Sequence, residues 1–279
     1  MWMLRSVLRL SASLHKENKM IPKRLFTTSK TKEMRPDLQA YMDTAARLHP
    51  DWVFEVVTNP EQDQFVKDHF PQHWDAYQAL PHKIMQVDIF RYMKSYVDGG
   101  WYLDTDYELF RTLDEFEGFE MVLPICRHTG DKDNPRPHDV YDMCIYASSE
   151  KNPFFLFLLD RFFSNPPPAN AQIHDVLVYT GPMFFTDTLR AYGVERENWI
   201  APERAKFHPV HKKGTGHVRS DEQYGAHHCA EQWLPADFHS LHRKIERRLK
   251  RLFGKSKVFA TPAPAPAAAA KKDGEGYLG

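Results

Sequence analysis

Cysteine is scarce in this chain: Cys126, Cys144 and Cys229 are the only three in 279 residues. An odd count without a CxxC pair excludes a disulfide scaffold and reads as reduced, buried thiols of a cytosolic-type chain. Glycine is sparse as well, at 13 residues, which excludes collagen-like and fibrous classes. Long apolar runs are missing. A charge-free stretch such as the one from Val176 to Thr186 falls short of the roughly 18 to 20 residues that a membrane span needs. Net charge is missing too, because 37 Lys and Arg balance 37 Asp and Glu.

What is present is enough apolar material for one domain, 42% of the residues, burying about three quarters of its unfolded surface. The neutral total hides an asymmetry. Residues 1–35 hold nine basic against two acidic residues and residues 238–257 hold eight against one, leaving 20 basic and 34 acidic elsewhere. An acidic body between basic ends argues against a nucleic-acid groove and suits a site that works with a cation.

Residues 1–19 form an N-terminal extension with a short amphipathic stretch, Trp2 to Leu14. Arg5 and Arg9 interrupt its apolar core and no AxA-like site follows, so it reads as a weak anchor or transit-type segment rather than a secretory signal. The ordered domain begins at Ile21-Pro22 and spans residues 20–236. Trp52 to Val57 predicts a strand, and the stretch to Pro81 a broken helix. Met85, Ile89, Tyr92, Met93 and Tyr96 share one face of a helix starting near Ile84, with Asp88, Arg91 and Ser95 on another. Gly99-Gly100 stops that helix, and Trp101-Tyr102-Leu103 predicts a buried strand delivering Asp104-Thr105-Asp106 at its end. Met121 to Ile125 predicts a second strand, followed by a long, mobile polar loop from His128 to Asp139. Asn152-Pro153-Phe154 opens an aromatic helix, Val176 to Tyr179 predicts a strand, and Thr180-Gly181-Pro182 turns into another helix. Strands alternating with helices predict an α/β domain.

Beyond it, residues 237–257 predict a basic amphipathic helix. Phe238, Leu241, Ile245, Leu249 and Leu252 form an apolar stripe beside a cluster of Arg and Lys, the composition of a peripheral contact with anionic membrane. Residues 258–279 read as a disordered Ala/Pro-rich tail.

Two carboxylates at a strand's end can approach one hard cation such as Mn²⁺ or Mg²⁺, which prefers oxygen ligands and keeps open positions for a diphosphate. The segments Val87-Asp88-Ile89-Phe90-Arg91-Tyr92 and Gly99-Gly100-Trp101-Tyr102-Leu103-Asp104-Thr105-Asp106 resemble the signature of the DXD-containing sugar-binding glycosyltransferases, glycosyltransferase family 32. Ile21-Pro22-Lys23, Pro50-Asp51-Trp52, Thr180-Gly181-Pro182 and the stretch from Tyr224 to Trp233 extend the resemblance over about residues 20 to 235.

The resemblance implies a single nucleotide-sugar-binding GT-A-type (Rossmann-like) domain with a mixed central sheet. It implies a metal-dependent retaining transferase moving a hexose (mannose, galactose or glucose) from a nucleotide diphosphate sugar to a glycan or lipid-linked acceptor. Asp106, Asp104 and His227 would hold Mn²⁺ or Mg²⁺. Asp88, Arg91, Asp104, Thr180, Gly181 and Trp233 would bind the donor, and Asp88, Arg91, Asp104 and Asp106 would form the catalytic set. The chain departs from the family at Phe26, Thr27 and Ser29 in the opening strand, at Asp142-Met143 where an Asn is usual, and at Glu231-Gln232 before Trp233. Those changes bear on base preference, the acceptor side and late metal coordination, and they admit a catalytically silent sugar- or membrane-binding module as the alternative. A phosphatase of the haloacid-dehalogenase type also carries DxD after a strand, but it wants a small residue pair where Tyr107-Glu108 stand. The expected location is cytoplasmic and peripheral to a membrane, with the Golgi membrane as the alternative, since eukaryotic relatives usually reside there.

Overall fold

The computed structural model describes residues 20–132, 134, 136–193, 198–208 and 220–228. The chain divides into two units, Met1–Glu231 and Gln232–Gly279, and every described residue lies in the first. The readings made for residues 1–19, Cys229, Glu231, Gln232, Trp233 and residues 237–279 lie outside the described residues. Among the described residues no helix is long and apolar enough to cross a membrane.

Strand β1 (Arg24–Ser29) runs parallel to β2 (Val53–Thr58) in unbroken register, Arg24 opposite Val53 through Ser29 opposite Thr58. The crossover between them is α1 (Pro36–Leu48), with Pro at its first turn, where a missing N–H leaves no bond unmade. After β2 follow α2 (Asn59–His69), a 3-10 turn at Pro71–His73, α3 (Trp74–Gln78) and α4 (Lys83–Asp98), which return the chain to β3 (Gly100–Leu103) on the free side of β1. The chain continues through β4 (Tyr107–Leu109), β5 (Met121–Val122), β6 (Ile125–Arg127), β7 (Val140–Tyr141) and β8 (Ile145–Ser148), the last antiparallel to β3. Helices α5 (Pro153–Ser164), α6 (Val176–Tyr179) and α7 (Pro182–Tyr192) precede β9 (Trp199–Ile200), α8 (Arg204–Phe207) and β10 (Gly225–His227). The main sheet has the order β2-β1-β3-β8-β5-β9. Its parallel half meets its antiparallel partner at the β3–β8 seam, so the α/β domain with a mixed central sheet is as the resemblance implied.

Side chains alternate across a strand, and this alternation splits the core in two. Phe26, Tyr102, Met121 and Tyr146 face α4, α5 and α7 in one cluster. Leu25, Trp101, Leu103, Val122 and Ile145 face α1 and the aromatic group Phe116, Phe207 and Tyr224 in the other. Helix α4 is enclosed by protein: its apolar stripe of Met85, Ile89, Tyr92 and Met93 is buried, and so are Asp88, Arg91 and Ser95 on the other face. Helix α5 starts where Asn152 accepts a hydrogen bond from the Phe154 N–H beside Pro153, as the sequence signals predict.

Two elements differ from expectation. Val176 to Tyr179 is a helical turn: Thr180 N–H and Gly181 N–H both donate to the Val176 carbonyl, at 3.0 and 2.7 Å. Leu177 and Val178 are exposed there, so the run lacks the two covered faces that an all-apolar strand requires. Met121 to Ile125 is two strands, because Pro124 cannot donate to a ladder; Met121–Val122 stays in the main sheet while Ile125–Arg127 pairs with β7. The polar loop after it carries side-chain bonds from Asp131, Asn134 and Asp139 to its own backbone, among them His128 N–H to Asp131 at 2.8 Å.

Gly99 and Gly100 adopt φ of +62° and +91°. Gly99 closes α4 by donating to the Ser95 carbonyl, and a Cβ on Gly100 would stand 2.7 Å from the Arg24 carbonyl oxygen of β1. Gly100→Ala is therefore expected to destabilise the fold by about 1–3 kcal/mol from backbone conformation alone, with the contact against β1 adding to it. Thermal unfolding checks this; an unchanged melting temperature would mean that the pair merely terminates the helix.

Candidate active site

The site forms where α4 and β3 converge. Asp88 and Arg91 stand one turn apart on α4, both buried, and make an ion pair through Arg91 Nη2. Arg91 Nη1 donates to the Met143 carbonyl at 3.0 Å and to Asp104 Oδ1 at 3.4 Å, and the guanidinium lies 4.7 Å from the Tyr102 ring centroid. The planar fork of arginine suits this double duty of pairing with carboxylates at its edge and stacking by its face. On the opposite side Thr180 Oγ1 donates to Asp88 Oδ2 at 2.7 Å, and Tyr92 Oη donates to the Thr180 carbonyl at 2.8 Å. The Thr-Gly-Pro turn is thus fastened to α4 by polar bonds. Gly181 follows as the residue capping α7, with its N–H committed to Val176.

Asp104 leaves β3 on the same side as Tyr102, two residues earlier, and accepts from Tyr102 Oη at 2.5 Å. Its side chain keeps 28% exposure, so one edge faces solvent while the other meets Arg91 and Tyr102. Burial pushes its carboxyl up to about 6, Arg91 pulling it down and Asp106 pushing it further up. Burial also raises the Asp88 carboxyl, against the pull of Arg91 and the Thr180 hydroxyl.

Asp106 gains its companion from far along the chain. Strand β10 pairs antiparallel with β4, setting His227 opposite Tyr107, and His227 Nε2 then donates to Asp106 Oδ1 at 3.2 Å and lies 3.9 Å from Asp104 Oδ2. The next histidine turns the other way: His228 donates to Glu108 at 3.0 Å and stacks on Tyr41. Of the two, His227 is the one directed at both carboxylates.

Asp104, Asp106 and His227 together offer two carboxylates and one imidazole at a partly open position. That donor set fits a hard or borderline divalent ion such as Mn²⁺ or Mg²⁺. Asp88, Arg91, Asp104, Asp106, Thr180 and His227 are brought together; Trp233 lies outside the described residues. Sequence reasoning gave no site role to Tyr102 or His208 and read Asp142-Met143 only as a departure from the family pattern. Tyr102 was legible, since strand alternation places it on the face of Asp104. His208 was not, because only α8 brings its Nε2 against the Asp142 carboxylate.

Thr180→Val removes the hydroxyl that donates to Asp88 while keeping its shape. It is expected to cost about 1–3 kcal/mol, because a buried carboxylate loses a partner that water cannot replace. Urea unfolding measures it, and a change below about 0.5 kcal/mol would mean that the Asp88–Arg91 pair is self-sufficient.

Residues 36–123 match the family model described as glycosyltransferase sugar-binding region containing DXD motif. The chain is similar to inositol phosphoceramide mannosyltransferase 3 of Schizosaccharomyces pombe, 32% identical over 60% of this chain and 44% of that protein. It is also similar to the mannosyl phosphorylinositol ceramide synthase SUR1 of Saccharomyces cerevisiae, 23% identical over 75% of this chain and 48% of that protein. A third relative is the initiation-specific alpha-1,6-mannosyltransferase of Candida albicans, 26% identical over 63% and 54%. The chain spans about half the length of these curated relatives. Among solved structures, the PaToxG glycosyltransferase aligns with a TM-score of 0.46 at 16% identity, covering 69% of this chain and 76% of that one. The matched segment contains Asp88, Arg91 and both carboxylates of the motif, so over residues 36–123 the chain is similar to the DXD-containing sugar-binding glycosyltransferases.

Proposed function

We propose that the chain is a metal-dependent, retaining hexosyltransferase that moves a mannosyl unit from a nucleotide diphosphate sugar to a lipid-linked or glycan acceptor. The observation that carries this reading is the buried chain Thr180–Asp88–Arg91–Asp104, which ends at a carboxylate facing Asp106 and His227. The names of the relatives supply the sugar, and those of the fission-yeast relative and the SUR1 synthase, which name inositol-phosphate ceramides, favour the lipid acceptor. A lipid acceptor requires a membrane nearby. The basic segment 237–257 would supply the peripheral contact, and the family resemblance favours the Golgi membrane as its location.

In this reading Asp88 and Arg91 fix the hydroxyls of the donor sugar, and Asp104 holds the nucleotide side. Asp104, Asp106 and His227 hold the ion, whose charge would stabilise the departing diphosphate. The bond between the anomeric carbon and the diphosphate oxygen breaks while the acceptor oxygen bonds to the same face. The acceptor's proton passes to the diphosphate oxygen that has just left, so no side chain need act as base. Arg91 is buried and already paired through Nη1 and Nη2 before substrate arrives, so its charge does not have to be reorganised during reaction.

Asp106→Asn keeps shape and removes charge. With Mn²⁺ and a panel of nucleotide diphosphate sugars, release of free sugar or transfer to acceptor is expected to fall by about a hundredfold or more. More than about a tenth of wild-type activity remaining would remove Asp106 from the metal set. A wild-type chain that releases no sugar from any donor would favour the silent binding module.

Arg91→Ala exposes the fold to about 3–5 kcal/mol from an unpaired buried Asp88, a large share of a typical domain's stability. Arg91→Lys is therefore the informative change: it keeps the charge and loses the fork. Activity nearly as low as that of the Ala variant, at a melting temperature close to wild type, is the expected result. Wild-type turnover by the Lys variant would reduce Arg91 to a structural cation.

The raised Asp104 carboxyl gives a further expectation. A ligand must be deprotonated to bind metal, so below about pH 6 a growing share of Asp104 must first lose its proton, and Mn²⁺ affinity falls as pH falls. Calorimetric titration is expected to show up to about a tenfold loss of affinity per pH unit in that range. An affinity constant from pH 7 to 5 would exclude Asp104 as a ligand.

A further inference from the structure

Beside the motif lies a second set of metal-ligating side chains that the proposed transfer reaction does not use. Asp142 and Cys144 stand two residues apart in the connection between β7 and β8, and His208 caps α8, two separate places in the sequence brought to one point. One ligand atom from each lies within 4.8 Å of the other two. Cys144 Sγ donates to Asp142 Oδ2 at 3.1 Å, and His208 Nε2 pairs with the same carboxylate. All three are well enclosed, with 9% exposure at the Asp142 side chain and 12% at His208. Cys144 also belongs to a triad with Asp104 and His227, again with the ligand atoms within 4.8 Å, so the thiol stands between this set and the motif.

The donor chemistry distinguishes the two sets. Asp104 and Asp106 present hard oxygen, whereas thiol, imidazole and carboxylate together are the ligands of a borderline-soft ion of the zinc class. Typical zinc bonds of about 2.0 Å to nitrogen or oxygen and about 2.3 Å to sulfur require neighbouring ligand atoms to be roughly 3.3–3.8 Å apart. The Cys144–Asp142 separation is just below that range and the His208–Asp142 contact is closer still, so both would open to admit an ion, while the Cys144–His208 separation, at most 4.8 Å, closes with a shift on the order of an ångström. Asp142 is prepared for the role: its Oδ1 accepts from the Met143 and Cys144 backbone N–H groups at 2.6 and 2.7 Å, leaving Oδ2 for the thiol and imidazole. A structural cysteine in an apolar core has no need of an anionic carboxylate and an imidazole around it.

We propose that Asp142, Cys144 and His208 bind a thiophilic divalent ion of the zinc class, with His227 at the edge of the site as a ligand shared with the DXD carboxylates. Binding exchanges the Cys144 proton for the metal and releases it to solvent, as thiolate coordination requires. An ion held there ties α8 to the β7–β8 connection and draws His227 away from Asp106. Zinc-class ions would thus compete with Mn²⁺ for that imidazole.

The test needs no turnover, so it stands or falls apart from the transferase reading. Co²⁺ is titrated into the full, reduced chain in the presence of excess Mn²⁺, and the near-ultraviolet thiolate-to-cobalt charge-transfer band is recorded. The band is expected to saturate at one Co²⁺ per chain, to disappear in Cys144→Ser, and to persist in Asp106→Asn. His208→Ala is expected to weaken Co²⁺ by about tenfold to a hundredfold or more. Absence of a sulfur band in the folded wild-type chain overturns the proposal. So does a band that survives Cys144→Ser, since Cys126 or Cys229 would then be its source. If Cys144→Ser does not fold, His208→Ala decides alone: unchanged Co²⁺ affinity overturns the site, and the stated loss supports it.

Discussion

The burial of one guanidinium organises this molecule. Arg91 sits on a helix enclosed by protein, where a charge is tolerated only if it is paired, and the partners of its two terminal nitrogens come from α4 itself, from the end of β3 and from the Met143 carbonyl. Satisfying it sets the distance between α4 and β3 and directs Asp104 outward. The Thr180 turn is recruited to Asp88 for the same reason. Hydrophobic burial alone would hold α4 on the sheet without fixing which carboxylate faces which cation. The polar bonds supply that selection.

The sheet distributes roles by parity. Along β3, Trp101 and Leu103 face the core side built from α1, Phe116 and Phe207, while Tyr102 faces the α4 side with its hydroxyl on Asp104. One strand thus carries both packing and function, Trp101 and Leu103 serving the first and Tyr102 joining the two. The two glycines before it permit this, since each places backbone against backbone more closely than a Cβ allows. The switch from parallel to antiparallel pairing at β3–β8 then puts Cys144, and with it the Asp142 and His208 group, directly beside the motif.

The two metal-ligating sets differ in how they are joined to the fold. Asp104 and Asp106 follow a strand and are anchored by local geometry, while His227 and His208 reach them only through β10 and α8. A segment holding one imidazole against each set is a natural point of communication between them. Hard and soft ions, drawn to oxygen and to sulfur respectively, would be sorted by ligand chemistry within the same small region.

By itself the sequence determined the parts whose signals are local. The 3.6-residue period placed α4 and put Asp88 with Arg91, the glycine pair marked its end, and the apolar triplet from Trp101 to Leu103 marked the strand that delivers the two carboxylates. Asn152 and Pro153 announced α5 because a cap and a fixed φ act within one turn. Local signals failed where context decided: Val176 to Tyr179 is apolar and partly β-branched like a strand, yet a surface position and bonds to one carbonyl made it a helical turn, and Pro124 divided a strand that hydropathy alone would have continued. The family resemblance pointed to His227, but only tertiary structure shows how it meets Asp106, because that depends on pairing between β4 and β10 across more than a hundred residues. It also decided that Asp142, Cys144 and His208 converge. Spacing along a chain constrains neighbours within a turn or a strand, whereas contacts between distant elements are fixed only when the whole core chooses how they pack.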